Sequence, residues 1–276
     1  MAKKETAPTA TKERDTIGAG DVGTMPKEML PALREPPSLL ALAKPQDEVG
    51  EAFTGALTTP RSEVPGISII RPIHGTQKFG GAVNAAELYG YPVHWFQARA
   101  YWPKGYRAGD SDPPSCWSST MMEPSPASAK IECKSCHSCP MAQFGSAPQG
   151  RGQACKVSTF LFLVNGDFGM PPVACLILPP SSIKNLMGAG RTPGYLQAAK
   201  NFKDPETHRQ ARYYELVWTK FTLEPGGDKH DVVHCEPLAV CRNADEARAL
   251  AMLRDKFMSF MENIRGDVVN KAAGEE

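Results

Sequence analysis

The 276-residue chain has no excess of charge of either sign, no long apolar run and no P-loop, and each lack excludes something. Lys and Arg number 31 against 30 Asp and Glu, so the net charge of +1 gives no global electrostatic footprint for a polyanion or a membrane surface. No stretch approaches the roughly 18 to 20 apolar residues that a membrane-spanning helix needs, and the opening MAKKETAPTATKERDTIGAG has no apolar core of a secretory signal. A soluble, cytoplasmic protein with no membrane partner is expected. No P-loop occurs, the single G-x-G-x-x-G (Gly18, Gly20 and Gly23) follows no expected strand, and the six His and eight Cys form no recognisable set of nucleophile, base and orienting group. No catalytic activity is therefore expected.

What the chain does have is clustered cysteine. Cys133, Cys136, Cys139 and Cys155 are spaced C-x2-C-x2-C-x15-C, and Cys116 lies 17 residues upstream of the first. In a reducing compartment such clustering points to metal rather than to disulfides, because a C-x2-C pair lets two thiolates of one turn reach a tetrahedral ion. Five candidates compete for four places around one structural zinc. The first three spacings also match the start of the bacterial ferredoxin run C-x2-C-x2-C-x3-C-P, but Pro140 follows the third cysteine and the next lies 16 positions on. Zinc is the reading preferred over an iron–sulfur cluster. His137, between Cys136 and Ser138, reads as an exposed neighbour. His230 and His234 share one strand face with Val232, and no carboxylate pattern completes a second site there.

The rest of the chain reads as mostly β, of α+β class. Residues 1–63 are rich in Pro, Thr, Ala, Glu and Lys and are expected to be a disordered arm. A β domain follows over 64–242, with strands expected at 64–73, 91–102, 213–225 and 230–241, and a hairpin at 156–180. A metal-binding insertion occupies about 107–156, a connection too long to be an idle loop in a compact domain. SSIKNLMGAG (181–190) reads as a short helix capped by Ser181 or Ser182, and part of 193–211 as helical. Residues 243–266 form an amphipathic helix capped by Asn243 or Asp245, with Ala247, Leu250, Leu253, Phe257, Phe260 and Ile264 at helical spacing, before a flexible tail at 267–276. Short strands, one long insertion and one C-terminal helix together suggest an OB-like antiparallel barrel carrying a zinc-ribbon-like insertion.

P-x-C-x-S at 114–118, C-x2-C-P-x3-F-G-S at 136–146, G-x-G-x-x-C-K at 150–156 and the LPPSSIKN segment resemble bacteriophage and prophage proteins related to single-stranded-DNA-binding replication or recombination factors. The resemblance covers roughly 64–262. It implies an OB-fold with a zinc-binding insertion, Cys116, Cys136, Cys139 and Cys155 as ligands, and Cys133 as the spare. One departure is plain: the acidic C-terminal tail common in single-strand-binding proteins is missing, since NKAAGEE holds only two acids.

Aromatic and basic residues interleave in HWFQARAYWPKGYR (94–107), the pattern of stacking platforms in a positive groove, with Tyr101, Trp102 and Tyr106 the members expected at the surface beside Lys104 and Arg107. Between 130 and 222, eleven Lys or Arg stand against five Asp or Glu. Arg151, Lys156 and Lys220 are the expected phosphate contacts. The function expected is non-catalytic single-stranded DNA binding. The rival is a zinc-containing accessory protein that docks on a polymerase, recombinase or nuclease and binds little DNA itself.

Overall fold

Runs of β-branched and aromatic residues build eight strands into one sheet. The computed structural model describes residues 67–73, 75–81, 83–104, 114–148, 152–165, 173–226, 231–255 and 257–258. All fall within one unit, Pro36–Glu276. The expected N-terminal arm, the end of the C-terminal helix and the tail lie outside them.

The strands are β1 (Ser68–Ile73), β2 (Lys78–Gly81), β3 (Glu87–Tyr101), β4 (Cys116–Ser118), β5 (Cys155–Val164), β6 (Val173–Leu178), β9 (Val217–Pro225) and β10 (Asp231–Val240), with β7 (Gly188–Ala189) and β8 (Thr192–Pro193) as a separate two-stranded ribbon. The sheet order is β10-β9-β3-β5-β6-β1-β2, and β4 pairs with β3 off this path. All pairs are antiparallel except β1 with β6. The sheet is thus mixed and curls into a half-barrel, not the wholly antiparallel barrel expected. The ladder slips between Pro92 and His94 and between Pro237 and Ala239. Proline cannot donate to a ladder, and an irregularity of this kind strengthens local twist and bends the strand.

In β5 every residue from Thr159 to Val164 is buried, and β6 is almost as dry. Because successive side chains point to opposite faces, both faces of the sheet centre must be covered. One cover is the helix at 244–255 and 257–258, here α3, whose Leu250, Leu253 and Phe257 are buried. The Phe257 ring lies 4.6 Å from that of Phe162, and Phe96 stacks on Phe160 at 4.9 Å. Asn243 caps α3 as expected, its Oδ1 accepting from the Asp245 and Glu246 N–H groups.

Two shorter helices, α1 (Ile183–Met187) and α2 (Tyr195–Lys200), follow β6. The expected serine cap of α1 is not made: the Ser182 hydroxyl instead accepts the Val233 N–H of β10 at 2.9 Å, so it ties the segment to the sheet. Backbones approach closely where the α1 end meets Gly194. A Cβ there would stand 2.1 Å from the Gly188 nitrogen and 2.3 Å from the Met187 carbonyl carbon.

Candidate functional site

Register alone sets two of the five cysteines on either side of one residue. Tyr101, near the end of β3, is opposite Cys116 on β4 and Cys155 on β5, so these three side chains form a rung on one sheet face. Arg99, two residues earlier, forms the next rung with Ser118 and Val157 and faces the same way. The remaining cysteines arrive on the loop between β4 and β5.

That loop is fastened along its length. The Ser118 hydroxyl is buried, donates to the Glu123 carbonyl at 2.6 Å and accepts the Met121 N–H, closing a turn immediately after β4. The Ser128 hydroxyl bonds both the N–H and the carbonyl of Trp117, and the Lys130 N–H reaches the Ser115 carbonyl. The Cys136 N–H donates to the Met122 carbonyl at 2.8 Å. Cys139 then leads into a short 3-10 turn, Pro140–Ala142. Beyond it, Gly145 takes φ +88°, and the Ser146 hydroxyl bonds the Met141 and Gln143 carbonyls and accepts the Ala154 N–H. Gly145 and Ala147 both donate to the Gly152 carbonyl. The F-G-S element is therefore a lock that returns the chain to β5. Only glycine accepts the left-handed backbone without strain, and Ser146 clamps three backbone groups around it.

Cys116, Cys136, Cys139 and Cys155 are all buried, at 7 to 9% exposure, while Cys133 is half-exposed and has the Ser138 hydroxyl 3.9 Å from its sulfur. All five line one cavity of about 20 Å³, together with Arg99, Tyr101, Ser118 and Glu132. That is room for a single water-sized occupant. Burial pushes the Cys155 thiol up to about 12 and raises Cys136 as well; neighbouring cysteines raise both further, and Arg99 opposes the rise. Cys133 is shifted the other way, by the Ser135 N–H and then the Ser138 hydroxyl. A cation placed between Cys136 and Cys155 would oppose this rise and favour their thiolates.

The donor set fits a soft divalent cation: four buried sulfurs, one small cavity and no competing hard ligand among the four. The sulfurs are not yet converged. Among the described residues no three His, Cys, Asp or Glu side chains meet as a ready coordination group. The rung explains this, since Cys116 and Cys155 flank Tyr101 two strand spacings apart, about 10 Å between Cα atoms. Closing four sulfurs on one ion requires both thiols to lean inward over Tyr101.

Comparison of the chain with protein-family models, with curated proteins and with solved structures returns no match.

The expected nucleic-acid contacts are distributed unevenly. Tyr101 is half-buried and packs against Cys139, Ala142 and Cys155, so it is a wall of the cysteine cavity more than a platform. Trp102 is half-buried, and Lys104 is exposed just beyond it. Lys156 is exposed beside Cys155, and its Nζ lies 3.5 Å from where a Cβ on Gly152 would stand. Lys220 is not brought to this end. It pairs with Glu87 at 2.6 Å and faces Tyr89 in the ladder, 12 residues from Tyr101 along β3, at most about 40 Å away. Tyr106, Arg107 and Arg151 lie outside the described residues. His137 is exposed, as expected.

Two residues with a claim on the site were missed from sequence. Phe144 is 83% exposed on the locked turn; its place between a cysteine knuckle and Gly145 was the available signal. The second is Arg99, read only as part of a basic and aromatic run.

Proposed function

We propose that the chain is a non-catalytic single-stranded-DNA-binding protein of phage type, acting in replication or recombination in the cytoplasm, with one structural zinc held by Cys116, Cys136, Cys139 and Cys155. The observation that carries the DNA half is Phe144. A phenyl ring at 83% exposure costs solvation unless something covers it, and this one sits on a turn fixed by Gly145, Ser146 and Gly152, with the Lys156 ammonium beside Gly152. A ring for a base and a cation for the adjacent phosphate is the minimal unit of sequence-tolerant single-strand binding. Among the described residues no helix is long and apolar enough to cross a membrane.

Zinc, when bound, would supply no chemistry beyond cross-linking the loop to β4 and β5. The residues do the rest: Ser118, Ser128 and Ser146 satisfy the loop backbone, and the thiols anchor it. Coordination would offset the ordering entropy of a loop with little core of its own.

A second reading has its own observation. Met122 and Ile131 are also exposed, at 67% and 51%, on the same insertion, and apolar exposure suits docking on a replication or recombination protein. Titration of a fluorescent oligothymidine with zinc-loaded protein separates the two. Single-strand binding predicts affinity that falls with salt with a log–log slope near 0.7 per phosphate contact. No binding at low salt by protein that holds its zinc would overturn it in favour of docking.

A further inference from the structure

Arg99 carries a feature that the fold alone does not require. It sits on β3 between β4 and β5, faces the cysteine cavity, and its Nε and Nη1 are buried without a hydrogen-bond partner. A buried guanidinium with unpaired N–H groups is costly, and native structures retain such a group where an anion is due to meet it. Among the described residues no carboxylate is paired with it. Glu132, which lines the same cavity, is held by Lys130 at 2.9 Å. Five thiols line the same cavity, and Arg99 acts electrostatically on both Cys136 and Cys155.

We infer that Arg99 is the built-in counter-charge of a four-thiolate centre, donating N–H groups to ligand sulfurs once the ion is in place. The inference rests on the zinc half of the proposed function and is independent of DNA binding. The charges balance as follows. Loading one divalent ion on Cys116, Cys136, Cys139 and Cys155 releases four thiol protons and leaves a core of charge −2 in a buried setting. Arg99 reduces this to −1 without entering the coordination sphere, and the sulfurs fill the vacant acceptor role for its N–H groups. Arg99 thus acts through the ligands as a positioning residue, and it favours thiolate over neutral donors at every place around the ion. A neutral residue there should weaken the metal, while the metal-free protein is relieved of an unpaired charge.

The test uses the full chain, prepared reduced in zinc-loaded and chelator-stripped forms, as wild type, Arg99→Met, Arg99→Gln and Arg99→Lys. Zinc affinity is read by chelator competition and thermal stability by calorimetry on both forms. Arg99→Met is expected to lose about 10- to 100-fold in zinc affinity, with the zinc-loaded form melting lower than wild type and the stripped form melting equal or higher. Arg99→Lys keeps the charge and should lose much less than Arg99→Gln, a comparison that decides the matter if the Met variant does not fold. The inference is overturned if the neutral variants bind zinc within about twofold of wild type, if they destabilise both forms equally, or if wild-type protein takes up no zinc.

Discussion

Asp204 offers a test of the fold whose size and sign both come from named atoms. Its carboxylate is 3% exposed; Oδ1 accepts the N–H groups of Glu206 and Thr207 at 3.0 and 2.8 Å, and Oδ2 accepts that of Val240 at 2.8 Å. The first two bonds form a turn, and the third ties that turn to the end of β10. Asp204→Asn keeps an acceptor for the turn but sets an NH2 against the buried Val240 N–H, donor against donor. Loss of one charge-assisted bond with a stranded partner costs about 2 kcal/mol, and Asp204→Ala, which abandons all three, about 3 kcal/mol. For a domain of this size the Asn change lowers Tm by about 4 to 8 °C. Burial alone would raise the Asp204 pKa, but the backbone donors of Thr207, Val240 and Glu206 outweigh it and hold the carboxyl below its usual value. The folded pKa is therefore the lower one. The stabilisation is fully present above the unfolded value, near 3.9, and is lost as pH falls from there through the folded value. Urea unfolding followed by tryptophan fluorescence, with Trp218 buried as reporter, reads this directly. The gap between wild type and Asp204→Asn should be full at pH 7 and shrink below about pH 4. A gap under 0.5 kcal/mol at pH 7, or one that persists unchanged in acid, would refute the reasoning.

The cysteines should divide by burial: Cys136→Ser is expected to abolish stoichiometric zinc in elemental analysis of purified protein, whereas Cys133→Ser, at the half-exposed position, should retain about one zinc per chain. Phe144→Ala should weaken oligothymidine binding by about 1 to 3 kcal/mol if one base stacks on the ring, with unchanged zinc content and melting temperature. Equal affinity of the two proteins in a fluorescence titration would remove Phe144 from the interface. Gly194→Ala puts a Cβ within 2.6 Å of three backbone atoms at the end of α1, and backbone cannot yield as a side-chain tip can. It should cost more than about 2 kcal/mol in chemical denaturation, and a neutral outcome would show that α1 and α2 shift apart freely.

How much of this was legible depended on whether the signal was local. The hairpin of β5 and β6, the strand ending in Tyr101 and the Asn243-capped helix were all readable, because each depends on a run of apolar residues or on a cap with its own periodicity. β2 and β4 were not, for KFGG and CWS are too short to show a period and become strands only by pairing with β1 and β3. The parallel pairing of β1 with β6 was also out of reach, since the two strands are about 100 residues apart and nothing in either sequence names the other. The same limit governed Ser182, which was read as a helix cap from its neighbours and serves instead as an acceptor for a strand 51 residues away.

At the site, spacing found the cysteines but could not rank them; burial separates Cys133 from the other four, and register places two of those four. Cys116 and Cys155 share a rung with Tyr101 because β3 is long enough to pair β4 and β5 at the same end. That length also carries Arg99 into the cavity and leaves Lys220 near the opposite end, held by Glu87. A basic and aromatic run therefore splits by its place along one strand. Arg99 and Tyr101 line the cysteine cavity, so the proposed nucleic-acid surface would extend outward from there, through Trp102, Lys104, Phe144 and Lys156, and not back along the sheet. If single-stranded DNA follows that path, salt dependence should survive Lys220→Ala and weaken by about one phosphate contact in Lys156→Ala, a difference visible as a change of about 0.7 in the log–log slope. Equal slopes for the two variants would place the contact elsewhere and detach the DNA reading from the cysteine loop.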